Sequence, residues 1–578
     1  MELSPYVVTR KADGTSTTAD IPESDPADGC HLRYRWFRSS SHRKASVCSV
    51  HPGEPAVLQN VHSKSYHCDE SCFAQSWREW MRHRMANGGR DENAREPLWK
   101  PPHLKDQPGG GAPPSPHGSA TNLTDTYHRP KNPHRGGAGH DDRGAKTDEP
   151  ESWTEVGRSK SYSATAEDVG HLLKFEVTSV DAGGAEQGST DGFTTGRVIP
   201  APTPPRRNLV PLAHRDGVGA GGRFTVLTYN VLADLYATSE MYSYTPSWAL
   251  AWNYRRQNIL KEIVQHDADI LCLQEVQSDH FEDFFQGELG KHGYTAVYKK
   301  KTAQVFSQGT YVIDGCAIFF KKDRFTLIKK YEVEFNKAAL SLVESLGGSS
   351  QKKEALNRLM KDNVALIVVL EALDRPPGAR DPDGKRQLLC VANTHIHANT
   401  ELNDVKLWQG HTLLKGLEKI ANSAEIPMVV CGDFNSTPGS AAHNLLCNGR
   451  VDGAHPELAT DPFGILRPPS KLQHPLPLVS AYTALTKQPC LESDEAERQR
   501  ARMDAQGTGE PIFTNCTKDF FGTLDYIFYT DDTLAPLSLL EVPTEHECRS
   551  KYGGLPNTQC SSDHVSLMAE FQWGARQW

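Results

Sequence analysis

The chain has 578 residues, a net charge of -9, a pI near 6.2, 37% hydrophobic residues and a mean hydropathy of -0.56. By the ~150-residue prior that length holds about four domain-sized units, and 37 prolines point to cores mixed with unstructured stretches. The acidic balance argues against a general nucleic-acid coat, whose affinity rests on neutralising many phosphates, but leaves room for an enzyme with local basic residues.

The opening residues, Met1 to Arg10, carry no apolar signal segment, and no apolar run reaches membrane length, so no membrane partner is expected. The 13 cysteines are scattered, and Cys272, Cys390 and Cys431 sit inside apolar strands. That usage suits reduced thiols, and the expected localisation is cytoplasmic and nuclear.

Along residues 31–39, Leu32, Tyr34 and Trp36 alternate with Arg33 and Arg35, the pattern of a half-buried strand. Strand and turn patterns return from Trp153 to Val177. There Asp168-x-Gly170-x-x-Leu173-x-Phe175-x-Val177 resembles the turn and strand of immunoglobulin-like sandwiches, with Trp36 as core tryptophan. Residues 1–47 and 153–200 are thus expected to form one small β-rich domain, interrupted by 48–152. Inside the interruption Cys48-x-x-His51 and Cys68-x-x-x-Cys72 offer four soft ligands for one tetrahedral Zn2+, making 48–100 a zinc-finger-like insert. Residues 101–152 are rich in Pro, Gly, His and Ser and are expected to be disordered, and 201–222 to be a linker.

From Arg223 the pattern changes. Phe224 to Asn230, Asp269 to Glu275, Asp314 to Phe320, Val364 to Leu370, Gln387 to His397 and Met428 to Asp433 read as apolar strands. Trp252 to Gln265 and Val405 to Ala421 have helical spacing between them. Phe521 to Tyr529 and Ser561 to Met568 complete the strand set, and Gly432 is expected to loosen the chain at a strand end. Strands alternating with helices argue for an α/β domain, residues 223–575. The segment 485–510 reads as a solvated insertion because of its Glu497-Arg-Gln-Arg-Ala-Arg502 run.

These strands share one property: each ends on, or beside, a residue with chemistry to offer. Asp433 and Asn435, two apart on extended chain, face one spot. A capping turn absorbs any one such pair, but not Asn230, Glu275, His395, Asp433, Asn435, Asp525, Asp563 and His564 together. The order Tyr-Asn230, Gln-Glu275, Thr-His395, Gly-Asp433-Phe-Asn435, Leu-Asp525-Tyr and Ser-Asp563-His564 resembles the endonuclease/exonuclease/phosphatase family, which implies a four-layer α/β/β/α sandwich. The segments Tyr244 to Arg256, Asp314 to Phe320 and Asn403 to Leu407 are similar to poly(A)-specific deadenylases of the carbon catabolite repressor type, subunits of the Ccr–Not complex. The N-terminal half looks like the plant version, although a Cys-x-x-Cys near Gln59 and Asn60 is missing.

The resemblance implies a Mg2+-dependent 3′→5′ exoribonuclease acting on poly(A) RNA and releasing 5′-AMP. Glu275 is the expected direct Mg2+ ligand, with Asp433 and Asp563 as further candidates for one or two ions. Asn230, Asp433 and Asn435 would position water, phosphate and a second metal, while His564, oriented by Asp525, serves as base or phosphate-contacting cation. His395 would donate to a non-bridging oxygen. Phe520 matches a base-stacking aromatic, Thr400 stands where animal members have a facing proline, and Arg255 and Lys406 are expected phosphate contacts. The family's endonucleases often carry Asn-x-Asp on the first strand; here it is Asn230-Val-Leu232. Two other readings stay open: a phosphohydrolase of the same family acting on a nucleotide 2′-phosphate or on DNA, and an inactive adaptor.

Overall fold

A computed structural model describes residues 31–41, 151–198 save 182 and 184, 206–212, and 222–574 with breaks at 308–309, 345–348, 374–385, 425, 488–493, 505 and 550–552; short strands at 2–3, 6–10, 16–20, 58–59 and 66–67 and residue 72 are also described. The chain divides into two compact units, residues 5–200 and residues 201–578 with the first four.

In the N-terminal unit strands β1 (His31–Ser39), β2 (Trp153–Gly157), β3 (Leu172–Val180) and β4 (Glu186–Arg197) form one antiparallel sheet in the order β4-β3-β1-β2. Trp36 is fully buried, packed on Tyr162, Phe175 and Phe193, and its indole N–H donates to the Ser159 carbonyl. The Asp168 carboxylate accepts from the Tyr162 hydroxyl at 2.9 Å and the Thr165 amide at 2.7 Å, so the turn before β3 is closed by its own side chains. Of the zinc-ligand set, Cys48, His51 and Cys68 lie outside the described residues, as do 73–150. Cys72 is buried, with Sγ 3.5 Å from His67 Nδ1.

The larger unit carries β5 (Leu209–Pro211), β6 (Arg223–Asn230), β7 (Ile270–Gln277), β8 (Tyr294–Lys300), β9 (Val305–Ser307), β10 (Thr310–Val312), β11 (Asp314–Lys321), β12 (Phe325–Glu334), β13 (Val364–Ala372), β14 (Leu388–His395), β15 (Met428–Asp433), β16 (Leu478–Ser480), β17 (Asp525–Thr530), β18 (Leu534–Leu540) and β19 (Leu567–Trp573). Its main helices are α1 (Trp252–His266), α2 (Asn403–Ala424), α3 (Ala441–Asn448) and α4 (Asp494–Arg500). Two sheets result, β5-β18-β19-β6-β7-β11-β8 and β12-β13-β14-β15-β17-β16.

Strand faces divide the apolar side chains into three cores. Ile270 and Cys272 of β7 meet Leu389 and Val391 of β14 between the sheets. The alternate residues Leu271 and Leu273 pack outward on Ile259 and Ile263 of α1. Cys390 and Ala392 pack outward on Leu413 and Leu417 of α2. Strands buried on both faces must be apolar throughout, which is why they read as continuous runs rather than alternations. The layers are therefore helix, sheet, sheet, helix.

Each sheet holds one parallel pair, β6 with β7 and β14 with β15, and the carboxyl ends of both pairs come out at the same end of the sandwich. Gly432 does not loosen β15. It sits within the strand opposite Thr394, where a Cβ would lie 2.0 Å from the Thr394 carbonyl oxygen, so only glycine lets the two strands meet.

On β7 the pairing with β11 passes from Leu273–Ala317 to Val276–Gly315, a bulge that holds Gln274 and Glu275. Glu275 there has φ 58°, which turns its side chain out of the strand's alternation. The ladder pair beside the bulge is tied to the opposite sheet across the core. Asn393 of β14 donates Nδ2 to Leu273 O and to Ala317 O, both at 2.9 Å, and its Oδ1 accepts from Gln274 Nε2 at 2.8 Å.

Three expectations change. The stretch 201–222 is more than a linker, because β5 pairs with β18 and buries Val210 at the sheet edge. The segment 485–510 is not simply solvated: α4 turns Ala496 into the inter-sheet core, Met503 just beyond it joins the same core, Gln499 is 1% exposed, and the Arg502 guanidinium donates to the Val542 carbonyl. The last strand begins at Leu567, so Asp563 and His564 ride on the loop that enters it.

Replacing Asn393 with leucine keeps the volume but removes three buried hydrogen bonds between the sheets, two to the Leu273 and Ala317 carbonyls and one from the Gln274 amide. Asn393→Leu is expected to lower the unfolding free energy by about 2–5 kcal/mol in urea titrations. A loss under about 0.5 kcal/mol would contradict this account of the bulge.

Candidate active site

Asn230, at the end of β6, is the hub of the carboxyl-end cluster. It is fully buried, and its Nδ2 donates to Glu275 Oε1 and to Asp433 Oδ2, both at 3.0 Å. Its own Oδ1 accepts the Leu232 amide at 3.0 Å. Both amide hydrogens are thus spent on carboxylates, and Asn230 lies beneath the cleft rather than on its wall. The expectation that it positions the attacking water is corrected: it holds Glu275 and Asp433 in place, one from each sheet.

Glu275 Oε2 also accepts the Ala233 amide at 2.8 Å. Burial raises its pKa, and the neighbouring Asp563 and Asp314 raise it further. Asp433 accepts the Asn435 amide on Oδ1 at 2.9 Å, and burial pushes its pKa up to about 7. Asn435 has φ 46° and donates Nδ2 to the Ile396 carbonyl at 2.9 Å, which fixes the turn after β15 against the turn after β14.

The two histidines are held in opposite states. His564 Nδ1 is 2.7 Å from Asp525 Oδ2, and its Nε2 stands 3.6 Å from Asp433 and 4.0 Å from Asp563. Burial alone lowers an imidazole pKa, but Asp525, Asp563 and Asp433 together outweigh it and hold His564 well above the usual histidine range. Asp525 sits behind the ring and is anchored in turn by the Thr514 hydroxyl at 2.6 Å. His395, by contrast, is driven well below the usual range by burial, Lys301 and His564, so it is neutral. Its Nε2 lies 3.5 Å from Asp433, and its Nδ1 has no hydrogen-bond partner among the described residues.

Glu275, His395, Asp433, Asp563 and His564 line the buried end of a cleft of about 960 Å³. Thr400 and Phe520 line the same cleft nearer solvent, and the Phe520 ring packs over Gly522, where a Cβ would come within 3.1 Å of Cζ. Lys406 lines it too, donating Nζ to the Asn435 carbonyl at 2.7 Å. Several residues without a sequence-level role complete the wall. Tyr242 and Asn515 donate to Asp563 Oδ2 at 3.0 and 3.1 Å, and Lys301 pairs with Asp314 at 2.8 Å. Among these, Lys301 was visible only as one of three consecutive lysines, and nothing in the sequence marks Tyr242 or Asn515.

Arg255 is not a phosphate contact. It is fully buried, and its guanidinium donates to the carbonyls of Leu250, Val231, Leu232 and Ser561 at 2.8–3.3 Å, with Asp234 at 3.3 Å. Val231 and Leu232 follow Asn230, and Ser561 precedes Asp563. Arg255 therefore ties together the two loops that carry the reactive groups.

Asp433, Asp525 and His564 bring ligand atoms within 4.8 Å of one another, with Asp525 and His564 already paired. Glu275, Asp433 and Asp563 converge on the cleft, and Asp563 Oδ1 is buried without a hydrogen-bond partner among the described residues. Burial raises the pKa values of Glu275 and Asp433, and hard oxygen donors fit a divalent cation. The grouping His443, Cys447 and Glu510 is different. His443 Nδ1 accepts the Gly439 amide, which leaves Nε2–H to donate to Glu510 at 3.3 Å: a closed internal pair rather than a ligand set.

Residues 227–564 match the family model described as the endonuclease/exonuclease/phosphatase family. Over 591 residues the chain is 52% identical to Carbon catabolite repressor protein 4 homolog 1 of Arabidopsis thaliana, covering 99% of this chain and 95% of that protein. It is 50% identical to homolog 2 of the same plant over 593 residues, covering 99% and 96%. To the CCR4-Not complex 3′-5′-exoribonuclease subunit Ccr4 of Saccharomyces cerevisiae it is 36% identical over 364 residues, covering 61% of this chain and 39% of that one.

The charged His564–Asp525 pair has a pH signature. A pKa raised on folding stabilises fully below the unfolded value, near 6.5, and the contribution fades as pH rises through the folded value above it. In EDTA, Asp525→Asn is therefore expected to cost roughly 3–5 kcal/mol in urea unfolding at pH 6, with the deficit shrinking toward pH 9. A deficit that grows with pH would refute the cationic assignment.

Proposed function

The chain belongs to the endonuclease/exonuclease/phosphatase family and to its carbon catabolite repressor 4 branch, and from that membership we infer a poly(A)-specific 3′→5′ exoribonuclease that shortens mRNA tails and releases 5′-AMP. The observation that carries the reading is the convergence, at one end of one cleft, of His395 and His564 with the carboxylates of Glu275, Asp433 and Asp563. Beside them Phe520 offers an aromatic face to a terminal adenine.

Hydrolysis of the last linkage needs an aligned water, a phosphate whose growing charge is met, and a leaving 3′-oxygen. Asp433, titrating near neutrality, is suited to take a proton from the water, and Asn230 fixes the carboxylate that does so. His395, neutral, donates its N–H to a non-bridging oxygen. His564 keeps its proton through Asp525 and presents a charged Nε2–H to the phosphate. Glu275 is the favoured direct ligand for Mg2+, with Asp433 and Asp563 as further candidates. A bound ion there supplies Lewis-acid polarisation of the scissile phosphate.

The name of the yeast relative supports assembly into a CCR4-Not complex, and the same reading puts the protein in cytoplasm and nucleus, where polyadenylated RNA lies. Among the described residues no helix is long and apolar enough to cross a membrane. Zn2+ held by Cys48, His51, Cys68 and Cys72 is a further part of the proposal; the closeness of His67 to Cys72 supports it and adds His67 as a ligand candidate.

Purified protein with Mg2+ is expected to degrade oligo(A) faster than oligo(U) or oligo(C), to stop in EDTA, and to lose at least about a hundredfold in rate in Glu275→Ala. Equal rates on the three homopolymers would overturn the poly(A) preference.

A further inference from the structure

Between β8 and β11 the chain makes a hairpin, β9 and β10, whose composition sets it apart from the rest of the surface. Phe306 and Tyr311 are 64% and 66% exposed, the highest values for large apolar side chains among the described residues. They are direct cross-strand partners, so both rings stand on one face of the hairpin, 5.1 Å apart and tilted by 63°. From Thr302 to Ile313 there is no acidic residue, only Thr, Ala, Gln, Val, Phe, Ser, Gly, Tyr and Ile.

Its roots are cleft residues. The Lys301 amide donates to the Asp314 carbonyl at 2.8 Å and the Thr302 amide to that of Asp362 at 3.2 Å, and both Lys301 and Asp362 line the cleft. Five residues of extended chain from Lys301 to Phe306 reach at most about 17 Å, a few nucleotides along a single strand. Two exposed rings contribute nothing to a core and lose their contacts to water, whereas each offers a π-face that any base can cover. The absence of acid leaves a phosphate backbone unopposed, and the exposed Thr302 and Gln304 side chains can meet base edges. A protein partner would more commonly be met by a larger apolar patch, which these two isolated rings do not provide.

We propose that the Phe306–Tyr311 hairpin is a base-stacking platform for single-stranded RNA lying upstream of the 3′ end held in the cleft. This rests on reading the cleft as an RNA 3′-end site. The platform would make the enzyme sensitive to tail length: a long oligomer reaches both the cleft and the rings, and a trinucleotide reaches the cleft alone.

The test uses the full chain with Mg2+ and compares oligo(A) of about 20 nucleotides with triadenylate. In a Phe306→Leu/Tyr311→Leu double variant, which keeps the apolar cross-strand pair but removes both π-faces, KM for the long substrate is expected to rise at least about tenfold with kcat unchanged. KM for triadenylate stays as in the wild type, which also reports that the variant is folded. The ring-preserving swap Phe306→Tyr/Tyr311→Phe behaves as wild type on both. Turnover of both substrates by the wild type with no length-dependent loss in the leucine variant overturns the platform alone, as does a variant that loses capture of a protein subunit while its long-substrate KM is unchanged. Wild-type protein that cuts neither oligomer overturns the nuclease reading and the platform together.

Discussion

The bond set that everything else depends on is the Asn393 amide spanning the two sheets. A continuous β7–β11 ladder would point Glu275 along the strand's ordinary alternation; the bulge turns it toward the cleft, and at the ladder pair beside it Asn393 donates to the carbonyls of Leu273 and Ala317. Each of these bonds contributes about 0.5–1.5 kcal/mol, so a donor from the opposite sheet helps to hold the strand pair beside the bulge. The same amide is therefore a fastener between sheets, placed beside the bulge that turns a carboxylate toward the cleft. Asn230 repeats the device one layer nearer solvent, joining Glu275 of one sheet to Asp433 of the other.

The electrostatics follow from that convergence. Bringing three carboxylates to one buried end is costly without compensating charge, and the cost shows as raised pKa values for Glu275 and Asp433. Part of the compensation is internal, since His564 is kept protonated by the carboxylates around it. The remainder invites a divalent cation or the metal-borne phosphate of a substrate. Lys301, another nearby cation, is drawn to Asp314, and together with burial it keeps His395 neutral. Two identical side chains in one cleft thus carry different protons, which is what a hydrolase needs for a donor and a charge clamp at the same pH.

The strand ends were legible because a residue such as Glu275 or Asp525 at the end of a run buried on both faces has few structural uses, and eight of them in family order have fewer still. Arg255 was misread for a physical reason: an arginine on an amphipathic helix beside the site looks like a phosphate ligand until the carbonyls of two loops are seen to close around it. The α4 segment misled through its charge run, whose arginines reach back to carbonyls while Ala496 and Gln499 face inward. Asn393 was in plain view, a lone amide in an apolar strand, and the rule that buried polar groups must be bonded marks such a residue as structural glue. Which carbonyls it meets depends on a bulge in another sheet more than a hundred residues away, and no local pattern carries that.

The central claim is that this cleft removes adenylates one at a time from a 3′ end. The most direct measurement is a time course on a 5′-labelled RNA whose unstructured non-adenylate body ends in an oligo(A) tail, with Mg2+ and analysis of both the shortened RNA and the released product. The account predicts a ladder that shortens by single nucleotides, slows at the junction with the body, and accumulates 5′-AMP. Internal cleavage, or passage through the junction at an undiminished rate, would contradict it.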